Sequence, residues 1–165
     1  MAGWSKPTSA NVCKVNCKGI FDRGMMKASV ASVMRNHRGE WVRGNAGMMG
    51  LLVPLVAELW SIFYGLKMAW EMGNVRSVII ESDCKRAVDE VNNIDSAFVL
   101  ADLVEMINSI MSEDWDSCVV IHVPKDCNAV ATALATSKLT AADGGLRDIH
   151  DAPASLSSML AAEMA

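Results

Sequence analysis

Residues 54–73, PLVAELWSIFYGLKMAWEMG, constrain this chain most, because they form a helix with strand-like sequence on both sides. Leu55, Leu59, Ile62, Phe63, Leu66 and Trp70 keep the three-and-four spacing of one helix face. Pro54 suits the first turn and Gly73 the end. Upstream, KVNCKGIF (14–21) alternates, with Val15, Cys17 and Phe21 on one side and Asn16 and Lys18 on the other. ASVASVMR (28–35) and EWVRGNA (40–46) flank the turn RNHRGE, where Gly39 favours a hairpin. Downstream, RSVIIESD (76–83) is almost continuously apolar, as a central parallel strand is. A helix between strands is a crossover, so the sheet must carry helices on its faces.

The rest of the chain extends this order. CKRAVDEVNN (84–93) reads as a short helix after an Asp83 cap, and SAFVLADLVEMINSIMS (96–112) as another. SCVVIHVP (117–124) is a strand closed by Pro124, and NAVATALATSKL (128–139) is a small-residue helix. The expected order is βββ-α-β-α-α-β-α: an α/β domain on a five-stranded mixed sheet, three antiparallel strands followed by parallel ones. Residues 1–11 are expected to be flexible, 12–139 to be the domain, and 140–165 to be a loosely attached tail with a possible short helix.

Composition excludes several classes of function. Of the 165 residues, 52% are hydrophobic and 21% charged, which suits one packed domain rather than a disordered chain. No apolar run is long enough to span a bilayer, since Pro54 and Glu58 interrupt the longest, and no membrane partner is expected. The N-terminal residues lack the charged head and apolar stretch of a secretory signal, so an intracellular site, nuclear or cytoplasmic, is expected. Five scattered cysteines without a CxxC pair fit reduced thiols; a metal clip of Cys13 and Cys17 is the weaker alternative. His37, His122 and His150 have no nucleophile beside them, and GNAGMMG lacks the strand–loop–helix context of a phosphate-binding loop.

The four stretches KVNCKGIF, AELWSIFYGLKMAWEMG, VIIESDCKRAV and HVPKDCNAVATALA, in this order, resemble the ribonuclease H-like domains of plants, including those derived from retroelement reverse transcriptases. The resemblance covers residues 12–139. It implies a ribonuclease H-like fold and, for an active member, magnesium-dependent hydrolysis of the RNA strand of an RNA–DNA hybrid. Four acids would then hold two magnesium ions, one activating water and one steadying the leaving oxygen. Two of the acid positions are retained, as Glu58 of AELW and Asp83 of ESD. The first-strand acid, expected as K-x-N-x-D-G, falls on Lys18, and the last-helix acid, expected as N-x-x-A-D-x-L-A, falls on Thr132.

Both substitutions remove negative charge where divalent ions would need it. One unit pair at 4 Å is worth roughly 4 kcal/mol at an effective dielectric near 20, and an ammonium reverses its sign. Lys18 is therefore expected to bridge Glu58 and Asp83 in place of a cation. Asp22 lies about 13 Å along the strand from Lys18, too far to substitute. Glu81 and Asp126 read as solvated surface acids.

Three readings follow. The favoured one is a degenerate domain, a pseudoenzyme without a cofactor, that binds nucleic acid or a protein. Lys14, Asn16, Arg23 and Lys27 are the nucleic-acid candidates, with Lys18, Arg35, Arg38 and Arg43 as further basic residues. Residues 1–50 hold eight Lys and Arg against two acids, while the rest of the chain is acidic. The second is an active hybrid ribonuclease holding magnesium through Glu58 and Asp83. The third is a protein-interaction module. Most of the five tryptophans and twelve methionines are assigned to packing and loops rather than to binding.

Overall fold

The computed structural model describes residues 3–92, 100–141 and 144–165. Three strands, β1 (Val12–Asp22), β2 (Lys27–Arg35) and β3 (Trp41–Gly50), form the meander and lead into helix α1 (Pro54–Glu71). Then come β4 (Ser77–Ser82), α2 (Lys85–Asn92), α3 (Ala101–Met111), β5 (Ser117–His122), α4 (Ala129–Lys138), β6 (Gly145–Ile149) and α5 (Ser157–Met164). Part of the helix expected at 96–112 falls on residues 96–99, outside the described residues.

The sheet runs β5-β4-β1-β2-β3-β6. β1 pairs antiparallel with β2 and parallel with β4, which puts it at the centre with Asn16 level with Glu81 and Lys18 level with Ala31. β4 and β5 are parallel. The alternation of β1 divides the molecule into two layers. Val15 and Cys17 enter the larger core, with Met34, Val78, Ile80, Leu59, Ile62 and Leu66, under α1, α2 and α3. On the opposite face, Ala31, Val33 and Ala46 pack against Val130 and Leu134 of α4 and Leu160 of α5.

Three expectations are corrected. The sheet has six strands, not five: β6 pairs antiparallel with the far edge of β3, Gly47 opposite Leu146. A side chain at Gly47 would put its Cβ 2.1 Å from the Gly145 carbonyl oxygen, so only glycine admits β6 there. Within GNAGMMG, Gly47 thus serves the pairing of β3 with β6. The segment 140–165 is not loosely attached, because Leu156 and Leu160 are buried in the smaller core and Glu163 is ion-paired with Arg35. Nor does the N-terminal segment hang free: Trp4 is buried, with the Arg35 guanidinium 3.6 Å from its ring centroid. No described helix is long and apolar enough to cross a membrane.

Candidate functional site

The site forms where three elements converge on the central strand. Lys18 points from β1 toward the α4 layer, and Asp83 follows the carboxyl end of β4, beside it. Glu58 comes from the start of α1, which can approach only because residue 19 is glycine. A Cβ there would lie 2.2 Å from the Ala57 carbonyl carbon. In that contact the Gly19 N–H donates to Glu58 Oε2 at 3.0 Å, fixing the carboxylate. Glycine in KVNCKG thus aims an acid.

Lys18 Nζ sits between the two acids, 2.9 and 3.1 Å from Asp83 Oδ1 and Oδ2 and 3.2 Å from Glu58 Oε1. Asn128 braces the other side, its Nδ2 donating to Asp83 Oδ1 at 3.2 Å and to the Cys17 carbonyl at 2.9 Å. Thr132, one helical turn on, donates its hydroxyl to the Asn128 carbonyl at 3.0 Å. Lys18, Asp83, Lys125, Asp126 and Thr132 line an open cavity of about 400 Å³. The structure therefore brings together all four positions singled out in the sequence. Asn128, given no role there, is a further member; as the residue that precedes α4 and opens the N-x-x-A-D-x-L-A pattern, it carried a signal that could have found it.

Electrostatics favour a charged amine. Burial alone would lower the Lys18 pKa, but Glu58 and Asp83 outweigh it and hold the group above its ordinary value. Burial pushes the Glu58 carboxyl up to about 7, against the opposing pull of Lys18 and the Gly19 N–H. One ammonium against two carboxylates leaves at most one unit of negative charge uncompensated.

A divalent ion does not fit this donor set. Magnesium needs several hard oxygen ligands in octahedral array, and here the amine engages both carboxylates while Thr132 contributes a hydroxyl already committed to its own helix. Among the described residues, no three His, Cys, Asp or Glu side chains are grouped to hold a metal. All five cysteines are free thiols.

The expected nucleic-acid residues do not share one surface. Lys14 and Asn16 are buried: Lys14 Nζ is 3.1 Å from Glu81 Oε2, and Asn16 Nδ2 donates to Glu81 Oε1 at 3.1 Å. Glu81 is accordingly a buried structural acid rather than a solvated one, because β4 is an interior strand. Arg35 is buried too, bound to Asn16 Oδ1 and Glu163. Arg23 and Lys27 flank the β1–β2 turn, whereas Arg38 and Arg43 belong to the opposite end of the meander, beside Glu40 and His150. The basic count of the first fifty residues reflects internal pairing and dispersal, not one patch. Trp60 packs with Phe63 and Tyr64, and Trp70 with Trp115, in keeping with packing roles.

A mixed sheet with β1 at its centre, two surviving acids and a helix-borne fourth position defines the class. The sequence profile of the reverse transcriptase-like family matches residues 16–138, and the chain belongs to that family. An Arabidopsis thaliana protein provisionally named a ribonuclease H protein is 32% identical over 136 residues, 82% of this chain. The chain spans only 22% of that relative's length. Among solved structures, the N-terminal RNase H domain of a Mycobacterium tuberculosis protein superposes with a TM-score of 0.71 at 18% identity, covering 78% of this chain and 93% of that one. Halobacterium salinarum RNase H1 gives 0.70 at 20% identity, covering 78% and 97%. An RNase H1 in complex with an RNA/DNA hybrid gives 0.68 at 19% identity, covering 77% and 96%. These likenesses establish the ribonuclease H-like fold.

Proposed function

We propose that this is a ribonuclease H-like domain that has lost metal-dependent hydrolysis and acts by binding. The observation that carries the reading is Lys18 Nζ held within 3.2 Å of both Glu58 and Asp83. The ammonium supplies the positive charge the acids need, so the scaffold keeps its two carboxylates without an ion. Removing Lys18 from between them would cost the amine both partners, and that cost opposes any incoming cation.

On this reading the partner is a nucleic acid or a protein. The fold neighbour solved with an RNA/DNA hybrid supports the first, and the exposed Lys125 lining the cavity offers a phosphate contact. On the same reading the domain would act inside the cell, in nucleus or cytoplasm. Titrating labelled hybrid at several salt concentrations separates the partner classes, because phosphate contacts release counterions and lose affinity steeply with salt.

The decisive experiment is hydrolysis of a labelled RNA–DNA hybrid with magnesium or manganese. Wild type is expected to leave the RNA intact, whereas the double variant Lys18→Asp, Thr132→Asp gains cleavage. Wild-type cleavage abolished by Glu58→Ala would establish the opposite reading, an active hybrid ribonuclease.

A further inference from the structure

The outer surface of α1 and α3 carries a feature that the acid–lysine site does not use. Phe63 and Trp70 of α1 and Met106 and Ile110 of α3 floor an open groove of about 580 Å³. The floor is firm: Trp70 packs on Trp115 with ring centroids 4.9 Å apart, and Trp115 Nε1 donates to the Ile110 carbonyl at 2.8 Å. Met106, a large apolar side chain in this groove, is 42% exposed.

The rim selects among occupants. Glu71, Asp102 and Glu105 border the groove, and among the described lining residues Lys67 is the one basic group, already bound to Glu71 at 2.9 Å. Nucleic acid and anionic lipid are repelled by such a border. A second copy docked groove to groove about a two-fold axis would set the same acids against themselves. What remains is a protein segment with apolar side chains flanked by Lys or Arg. Two neighbouring helices with an apolar trough between them suit a third amphipathic helix.

We propose that the α1–α3 groove is a docking site for a basic amphipathic helix of a protein partner. Glu58 lies in the second turn of α1 and the groove begins at Phe63, so the helix would occupy a surface separate from the Lys18 site. The methionine gives the trough an adaptable floor suited to side chains of varied shape. This surface stands whether or not the domain hydrolyses hybrids.

The test uses the full chain and a fluorescein-labelled helical peptide with leucines at i, i+3, i+4 and i+7 and lysines on both flanks. Anisotropy should report saturable binding that weakens at least tenfold in Met106→Glu. The pair Asp102→Lys, Glu105→Lys should also weaken it tenfold and transfer the preference to a glutamate-flanked version of the same peptide. Hydrogen exchange should slow in residues 63–71 and 101–111 when the lysine peptide binds. These substitutions lie on exposed positions, and unchanged melting temperatures will show that the fold is intact. The proposal is overturned by absence of binding, by equal binding of both peptides, or by affinity that ignores the variants. Preference for phosphatidylserine vesicles over the peptide, or self-association through the groove, would overturn it equally.

Discussion

Two lysines of β1, four residues apart on one face, each meet an acid of or next to β4, yet their surroundings differ. Lys14 finds Glu81 at 3.1 Å and the Ser5 carbonyl at 2.8 Å, beneath the N-terminal segment. Glu81 is held in turn by Asn16, Asn16 by Arg35, and Arg35 by Glu163 of α5 and the Trp4 ring. Every charge in that cluster is answered, and both ends of the described chain close over it. Lys18 instead faces two acids across an open cavity. Its cluster keeps surplus negative charge and solvent access, which a purely structural ion pair has no need of. A charged residue in a strand centre is thus read through its partners and its cover, not through its type.

The sealed cluster should produce the largest effect when broken. Arg35 is 1% exposed, and its removal leaves Glu163 and Asn16 unpaired and Trp4 without its stacking partner. Arg35→Ala is expected to cost about 4 kcal/mol in urea unfolding, the range for breaking a buried charge network. A loss below about 1 kcal/mol would mean that the termini are held by apolar packing alone.

Lys18→Met should cost somewhat less, about 3 kcal/mol at pH 7, since the cavity lets water reach the abandoned acids. Its signature is pH. Without the amine that pulls it down, the Glu58 carboxyl moves still higher, and protonating it relieves the repulsion with Asp83. The variant should therefore recover toward wild type as pH falls from 7 to 5, followed by denaturant midpoints at each pH. If Lys14→Met shows the same recovery, the distinction between the two lysines is lost.

Much of this architecture was legible in the sequence because its patterns are local. The α1 face, the β1 alternation and the Pro54 and Gly73 boundaries each follow from side chains a few residues apart. The meeting of Lys18, Glu58 and Asp83 was legible only through family resemblance, since β1, α1 and β4 pair across long stretches of chain. Attachment of the tail was illegible for a different reason. GLRDI is too short and polar to announce a strand, and its docking depends on the absence of a side chain at Gly47, a hundred residues away. The burial of Lys14 and Arg35 was hidden likewise: charge is counted along a sequence, whereas the partners Glu81 and Glu163 are supplied by the fold.

The smallest effect isolates one carboxyl. Glu58 rises from an ordinary 4.5 to about 7 in the folded domain, so between those values the native state holds a proton that the unfolded chain has released. Stability from this group is fully present below pH 4.5 and is lost as pH rises through 7, because stability falls with pH wherever the native state binds more protons than the unfolded chain. Glu58→Gln removes the titration while keeping an oxygen to accept the Gly19 N–H. The difference between wild type and variant should therefore change by on the order of 2 kcal/mol from pH 4.5 to 7. A slope of opposite sign would mean that the amine dominates burial and that Glu58 is a full-time anion. In that case Lys18 binds its acids as tightly as Lys14 binds Glu81, and the contrast between an open and a sealed cluster would rest on the cavity alone.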